Sequence, residues 1–158
     1  MSAPSHPIRR RDRALEGPEA LAILGKAEWG VLATVGADGW PYAVPMNHAL
    51  VEGALLLHSA REGHKLENLQ AEARVSYCVV TQAETLPLEL ATRYESAIVF
   101  GRARVVTEDS EKRAALHALG LRFAPQHPGV VAAEIEKDAF RTTVLRIAIE
   151  RVTGKARH

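Results

Sequence analysis

Six short apolar runs separated by turn residues constrain the fold of this 158-residue chain more than any other feature. They are residues 29–35, 40–47, 55–58, 75–81, 96–106 and 142–152. The first two flank Gly36-Ala37-Asp38-Gly39, which is typical of a hairpin turn. A helix that begins near His64 interrupts the succession after the third run. The pattern predicts a mainly β fold of the α+β class, a six-stranded antiparallel split β-barrel with peripheral helices.

Proline and glycine predict where these strands are irregular. The second run contains Pro41 and Pro45, which cannot donate to a strand ladder, so it should lie at a sheet edge or bend at a bulge. Gly101, inside the fifth run, indicates a bulge or a close approach of another backbone. The other elements expected are a helix opening at Gly17-Pro18, a helix capped by Thr107, a short helix over residues 130–137 and a long connection over residues 82–95.

The segment from Leu55 to Leu69 carries the clearest functional signal. Its first half is a buried strand, and its second half has helical spacing. A helix N-terminus offers unpaired N–H groups and the positive end of a dipole, to which this segment adds His64, Lys65 and Arg61. The segment therefore predicts a phosphate site, with a simple solvated helix start as the alternative.

Length and composition favour a single domain over residues 14–158, preceded by a flexible basic arm over residues 1–13. The arm lacks aromatic residues and the formal net charge is +1, so no nucleic-acid partner is expected. No apolar stretch of roughly 18 residues occurs, so no membrane association is expected. The single cysteine, Cys78, cannot form an internal disulfide, and a cytoplasmic location is expected.

The sequence lacks the residue patterns of several common types of active site. The histidines show no pair at zinc-motif spacing, so no metal site is expected. The chain has no nucleophile elbow, no P-loop and no Gly-x-Gly-x-x-Gly fingerprint. His48 directly follows the proline-broken strand and could face the phosphate site; the alternative is a histidine held by a backbone partner.

Two stretches together resemble the pyridoxamine phosphate oxidase-like split-barrel flavoproteins, in particular the branch that contains the nitroimidazole-resistance proteins. They are Gly39-Trp-Pro-Tyr-Ala-Val-Pro-Met-Asn47 and Leu57-His-Ser-Ala-Arg-Glu-Gly-His-Lys-Leu-Glu-Asn68. Tyr94-Glu-Ser-Ala-Ile-Val-Phe-Gly-Arg-Ala-Arg-Val105 and Val152-Thr-Gly-Lys155 also match that branch. The similarity runs from about Arg9 to the C-terminus.

The resemblance implies an FMN-binding homodimer with the cofactor at the subunit interface. Carried over by position, His64 and Lys65 would hold the FMN phosphate. Further cofactor contacts would come from His58, Ser59, Ala60 and Arg61 beside it, from the backbone of Val44, Pro45, Met46 and Asn47 along the flavin ring, and from Tyr94 and Ser96 of the second subunit. Some nitroimidazole-resistance proteins use a histidine close to the flavin, which makes His48 the candidate catalytic residue.

The expected function is that of an FMN-dependent oxidoreductase. It would pass electrons from a reduced nicotinamide donor or a redox partner to a small-molecule acceptor, including nitroaromatic compounds of the nitroimidazole type. The arginine-rich pocket of the true pyridoxamine phosphate oxidases is not recreated here, so that activity is not expected. The alternatives are a split barrel that binds a deazaflavin or haem, a flavin-binding protein without turnover, and nucleic-acid binding through the basic arm.

Overall fold

The computed structural model describes residues 6–158, in which one antiparallel sheet carries four helices. The strands are β1 (Ala14–Leu15), β2 (Trp29–Val35), β3 (Pro41–Asn47), β4 (Ala49–Val51), β5 (Ala54–Ala60), β6 (Arg74–Leu86), β7 (Ala91–Val105) and β8 (Thr142–Arg157). The helices are α1 (Gly17–Lys26), α2 (His64–Ala71), α3 (Asp109–Phe123) and α4 (Pro128–Asp138).

The strand order is β3-β2-β6-β7-β8-β5-β4, with β1 paired to β8. Because β3 also contacts β5, the sheet curls into a half-barrel, the split α+β architecture that the sequence predicts. The predicted number of six strands was too low: the sheet has eight strands within the described residues. The additional strands β1 and β4 contain two and three residues, which is too short to show an alternating pattern.

The prediction of a long connection over residues 82–95 was wrong. Strand β6 continues to Leu86 and β7 begins at Ala91, so only a 3-10 turn at Pro87–Glu89 joins them. Both strand ends are largely exposed and pair through polar contacts such as the 3.3 Å ion pair between Arg93 and Glu84. Without a buried face, these segments show no apolar alternation in the sequence.

Strand β3 lies at an end of the sheet order, as its two prolines predict. The turn that leads into it is also as expected. Gly39 has a φ of +82°, and the Asp38 carboxylate accepts a 3.0 Å hydrogen bond from the Trp40 amide. The hairpin is therefore closed by its own side chain as well as by glycine.

The helices pack on both sides of the sheet. Ala20 and Leu24 of α1 are buried in the main core. Ala115 and Leu119 of α3 belong to a second cluster over β5 and β8. Arg122 of α3 donates to the carbonyls of Gly25 and Ala27, which joins α3 to the C-terminal end of α1.

The structure describes part of the predicted basic arm, and its flexibility stays a prediction. Residues 1–5 lie outside the described residues. Arg11–Arg13 forms a 3-10 turn, and the carbonyl of His6 accepts a 3.0 Å hydrogen bond from Arg151. β1 follows at once and pairs with Gly154 and Lys155 of β8. Pairing to a sheet edge therefore holds this basic segment against the domain.

Gly101 lies at a β-bulge and at a close approach of two backbones, the two features that its position in the sequence predicts. The register shifts between Phe100 and Gly101, so Glu150 of β8 has no partner in β7. A Cβ added at Gly101 would lie 2.1 Å from the Ala148 carbonyl oxygen. The two backbones approach too closely here for any side chain.

We expect Gly101→Ala to destabilise the protein by about 3 kcal/mol, because the methyl group would meet backbone that cannot rotate away. Chemical denaturation with circular dichroism measures the change. Gly25→Ala is the matched control, since its Cβ would have no neighbour within 4 Å, and it should be neutral or stabilising by up to about 1 kcal/mol. Equal stability of Gly101→Ala and the wild type would contradict the close approach.

His48 lies in the core rather than in a cleft. Its side chain is 0% exposed. Nε2 lies 2.9 Å from the Leu24 carbonyl oxygen, and Nδ1 lies 3.0 Å from the Tyr77 hydroxyl, which itself donates to the Met46 carbonyl. The prediction that the His48 ring faces the phosphate site is therefore wrong. His48 is instead held by a backbone partner, which was the alternative. We assign it no catalytic step.

Burial lowers the pKa of His48 from its ordinary value. This effect of burial outweighs that of the hydrogen bond to Leu24, which favours the protonated form. The positive charge of Arg122 lowers the pKa further. The unfolded chain therefore binds a proton before the folded one does as the pH falls through about 6.5. The native state loses stability in that window.

We expect the free energy of unfolding to fall between pH 6.5 and 5 with a contribution from His48 of at most about 1.4 kcal/mol per pH unit. His48→Gln should remove that contribution. Urea unfolding at a series of pH values measures it, with His117→Gln on the exposed face of α3 as the control. An unchanged slope in His48→Gln would refute the assignment.

Candidate functional site

The predicted phosphate corner is where β5 ends and α2 begins. Gly63 makes the turn with a φ of +129°, a conformation that favours glycine. No side chain in residues 6–158 caps the helix, so the first-turn amides of His64 and Lys65 have no side-chain acceptor. Within the same residues, Arg61, His64 and Lys65 form no ion pair, although the His64 ring lies 4.2 Å from the Tyr42 ring, centroid to centroid. Three basic side chains and a bare helix N-terminus thus meet without a matching carboxylate.

A buried hydrogen bond holds this corner in place. The Asn68 amide of α2 donates to the Thr34 hydroxyl of β2 over 2.9 Å, and both residues are buried. Asn68 also lies against the hairpin turn, because a Cβ added at Gly36 would be 3.1 Å from its Oδ1 atom. The Asn68 amide therefore helps to fix the orientation of α2, and with it that of His64 and Lys65.

Strand alternation separates the residues expected beside the phosphate. Ser59 is half-buried and its hydroxyl donates to the Ala60 carbonyl. His58 points to the other face of β5, where it lines an apolar cavity of about 270 Å³ under α3 and α4. Ala60 and Arg61 are exposed at the corner itself. Ser59, Ala60, Arg61, His64 and Lys65 lie around the turn from β5 to α2, and the His58 side chain lies elsewhere.

The predicted flavin strand is β3. Pro45 and Asn47 point outward and are exposed, whereas Val44 is half-buried and Met46 is buried. The Asn47 amide donates to the Glu28 carbonyl over 3.0 Å, and the Met46 carbonyl accepts from Tyr77. The polar backbone that remains available to a ligand is therefore on the free edge of β3.

Tyr94 and Ser96 are far from this corner within one chain. Ser59 of β5 pairs with Thr143 near the start of β8, whereas Ser96 of β7 pairs with Lys155 near its end. The two positions on β8 are on the order of 40 Å apart along the strand. A single protomer does not bring Tyr94 and Ser96 to the predicted phosphate corner.

The structure also adds residues that the sequence reasoning missed. Tyr42 and Thr34 lie on the inward face of the first hairpin, and Asn68 is a polar residue between the apolar Leu66 and Leu69. A buried amide in an apolar helix face is a signal for a buried polar partner. Tyr42 has no comparable signal, because its contact is with α2, which is distant in sequence.

The described residues offer neither a metal site nor a membrane-spanning helix. No group of three or more histidine, cysteine, aspartate and glutamate side chains in residues 6–158 could hold a metal ion. No helix in that range is both long and apolar enough to cross a membrane.

The fold is similar to that of several solved structures. A protein provisionally described as a 5-nitroimidazole antibiotic resistance protein from Bacteroides thetaiotaomicron has a TM-score of 0.74 at 23% identity, over 90% of this chain and 85% of that one. The FAD and heme binding protein of Mycobacterium smegmatis has a TM-score of 0.75 at 27% identity, over 91% and 73%. The flavocytochrome Anf3 of Azotobacter vinelandii has a TM-score of 0.74 at 17% identity, over 100% and 77%.

No curated protein matches this sequence. A family model described as pyridoxamine 5'-phosphate oxidase matches residues 16–156, which is nearly all of the described chain. The match includes the turn at Gly63, the helix α2 and all but the last residue of β8. The chain therefore belongs to the pyridoxamine 5'-phosphate oxidase family.

Proposed function

We propose that this protein is an FMN-dependent oxidoreductase that accepts electrons from a reduced nicotinamide donor and passes them to a small acceptor such as a nitroaromatic compound. The observation that carries the proposal is the uncapped N-terminus of α2 with its unpaired cations, in a member of a flavin-associated family. Dianionic phosphate is the group that this arrangement stabilises best.

The residues at the corner fit the phosphate of FMN. Lys65 and Arg61 supply charge, His64 and the first-turn amides supply donors, and the Ser59 hydroxyl lies beside them. The free edge of β3 near Asn47 would face the ring system. Bound FMN supplies the redox chemistry; the residues of this chain bind and orient it, and exclude water from it.

An apolar sheet face supports the proposed homodimer. Trp29, Val80 and Ile98 point to the same side of adjoining strands and are 57%, 53% and 38% exposed, and Val35 on the same side of β2 is 40% exposed. Exposed apolar side chains grouped on one face favour an interaction site there. In a two-fold dimer formed through this face, Tyr94 and Ser96 of the second copy would complete the flavin site.

A haem-binding role is the second candidate, and one observation favours it. His58 lines the apolar cavity under α3 and α4, and a histidine beside an apolar cavity is a suitable haem ligand. The name of the Mycobacterium smegmatis relative includes heme as well as FAD. The cavity volume of about 270 Å³ is small for a ligand pocket, which argues against haem at this place.

The absorbance spectrum of the purified protein, with FMN added, should show the bands of bound oxidised flavin. Stopped-flow mixing with NADPH or NADH should bleach those bands, and a nitroimidazole should restore them. A Soret band that His58→Ala removes would favour haem. Flavin bands that no nicotinamide donor bleaches would favour a flavin-binding protein without turnover.

We expect the double variant His64→Ala, Lys65→Ala to weaken FMN binding by about 10- to 100-fold, because hydrogen bonds to a charged group contribute about 1.5–3 kcal/mol. Flavin fluorescence titration measures the affinity, and gel filtration with circular dichroism checks the fold. Lys112→Ala is the matched control, since this half-buried lysine also lies in the first turn of a helix and forms no ion pair in residues 6–158. Unchanged affinity in the double variant would refute the corner as the phosphate site.

A further inference from the structure

Strands β6 and β7 continue beyond the rest of the sheet as a two-stranded ribbon, residues 84–93. No third strand flanks this ribbon within residues 6–158, because β8 ends opposite Tyr94 and β2 stops pairing with β6 well before it. An exposed ion pair between Glu89 and Arg157, at 3.1 Å, ties the ribbon to β8, but such pairs contribute little stability. An isolated two-stranded hairpin is only marginally stable in water, so the ribbon needs a surface to pack on.

The tip of the ribbon presents two leucine side chains to solvent. Leu88 and Leu90 are almost completely exposed. Leu90 also has a φ of +48° and a ψ of +47°, the left-handed conformation, which favours glycine and disfavours a leucine. Its side chain therefore carries a backbone penalty and gains no burial among the described residues. Such a residue is stabilising only where another surface covers it.

The surface between α3 and α4 is a second apolar region that is left open. Its cavity of about 270 Å³ is small for a ligand pocket, yet an apolar cavity of about 150 Å³ already accommodates benzene. The volume therefore suits one or two leucine side chains. We call this surface the α3–α4 groove; it is formed by Leu116, Leu119, Val131 and Ile135, with the exposed Val130 and Phe140 at its rim.

One chain does not bring its own ribbon to its own groove. β8 runs between them, from Thr142, which lines the groove, to Arg157, opposite Tyr94 at the base of the ribbon. The 16 residues of β8 extend on the order of 50 Å along the strand. The ribbon continues away from the groove beyond that end, so the surface that covers its tip belongs to another molecule.

We propose that the ribbon tip of one copy of this chain packs into the α3–α4 groove of a second copy, and that this exchange completes the flavin site. The ribbon prolongs the two strands that carry Val80 and Ile98, so it leaves directly from the apolar sheet face of the proposed dimer. Two-fold symmetry makes the contact twice and closes the pair, so both tips and both grooves are covered.

The position of the groove connects this contact to the flavin. Thr142 on its wall is the β8 partner of Ala60, so the groove lies beside the phosphate corner. Ser96 is six residues from Leu90, or about 20 Å along β7. A ribbon anchored in the partner's groove therefore carries Tyr94 and Ser96 towards the partner's corner, which they do not approach in their own chain. The inference rests on the proposed homodimer, but the ribbon contact itself involves neither FMN nor the corner residues.

Cross-linking between two different variants tests the contact. In a Cys78→Ala background, which removes the single native cysteine, Leu88→Cys protein is mixed with Val130→Cys protein and oxidised with copper phenanthroline. A disulfide-linked heterodimer should appear on a non-reducing gel. His117→Cys on the exposed face of α3 is the matched control for Val130→Cys and should give little product. Equal yields with both, or linkage of Leu88→Cys only to itself, would overturn the proposal.

Leu90→Gly separates the side-chain contact from the backbone conformation. Glycine adopts the left-handed conformation without penalty, so the change would leave a free tip unchanged or more stable. If the tip is buried in a partner, the dimer dissociation constant should rise by about tenfold or more, because burial of a leucine side chain is lost. Analytical ultracentrifugation measures it, and Leu90→Met should keep the wild-type value. An unchanged or tighter Leu90→Gly dimer would overturn the proposal.

Two further readouts use the same variant. The apolar dye ANS should bind Leu90→Gly more than the wild type, because the groove is uncovered. Equal binding would show a groove that is open to small apolar ligands and would overturn the ribbon as its occupant. FMN affinity should fall in Leu90→Gly at low protein concentration and return at a concentration that restores the dimer. FMN affinity that is independent of the ribbon would overturn its part in the flavin site.

The two failures are distinguishable. A protein that cross-links ribbon to groove but takes up no flavin would refute the proposed function and leave the ribbon contact standing. A protein that binds and reduces its flavin normally, without a link between Leu88→Cys and Val130→Cys, would refute this inference alone.

Discussion

The close backbone contact between Gly101 and Ala148 is the constraint on which the architecture depends. β8 pairs with β7 along its length, but its other edge changes partner. It pairs with β5 up to Ala148 and with β1 only from Gly154. The bulge at Glu150 lies between these two pairings. A bulge increases the local bend and twist of a strand, so β8 can leave β5 at this point and cover α1.

That bend separates the two halves of β8. The phosphate corner follows β5, whose partner is the first half of β8, whereas Tyr94 and Ser96 of β7 lie beside the second half. The corner is not a closed pocket in one chain, because most of its side chains are exposed. The proposed flavin site therefore needs a second copy of the chain to complete it.

The positioning of the corner relies on polar groups in the core. Asn68 binds Thr34, and His48 bridges Leu24 and Tyr77, so β2, β6, α1 and α2 are joined by hydrogen bonds that water does not reach. Such bonds specify one arrangement of helices on a sheet, because any other arrangement leaves a buried polar group unpaired. His48 thus supports the site indirectly, by stabilising the packing of α1 on the sheet. Its lowered pKa reduces the stability of the folded protein at acid pH.

The sequence alone determined the local features: the hairpin turn at Gly36–Gly39, the edge position of β3, the irregularity at Gly101 and the strand-to-helix corner at His64 and Lys65. Each depends on residues close together in the chain, where turn chemistry, proline and helix termini act directly. The resemblance of its motifs to those of known flavoproteins indicated the family. Only the tertiary structure decided that His48 is a core residue, that His58 faces α3 and α4, and that Asn68 binds Thr34. These facts depend on strand register and on contacts between distant segments, which no short stretch of sequence encodes.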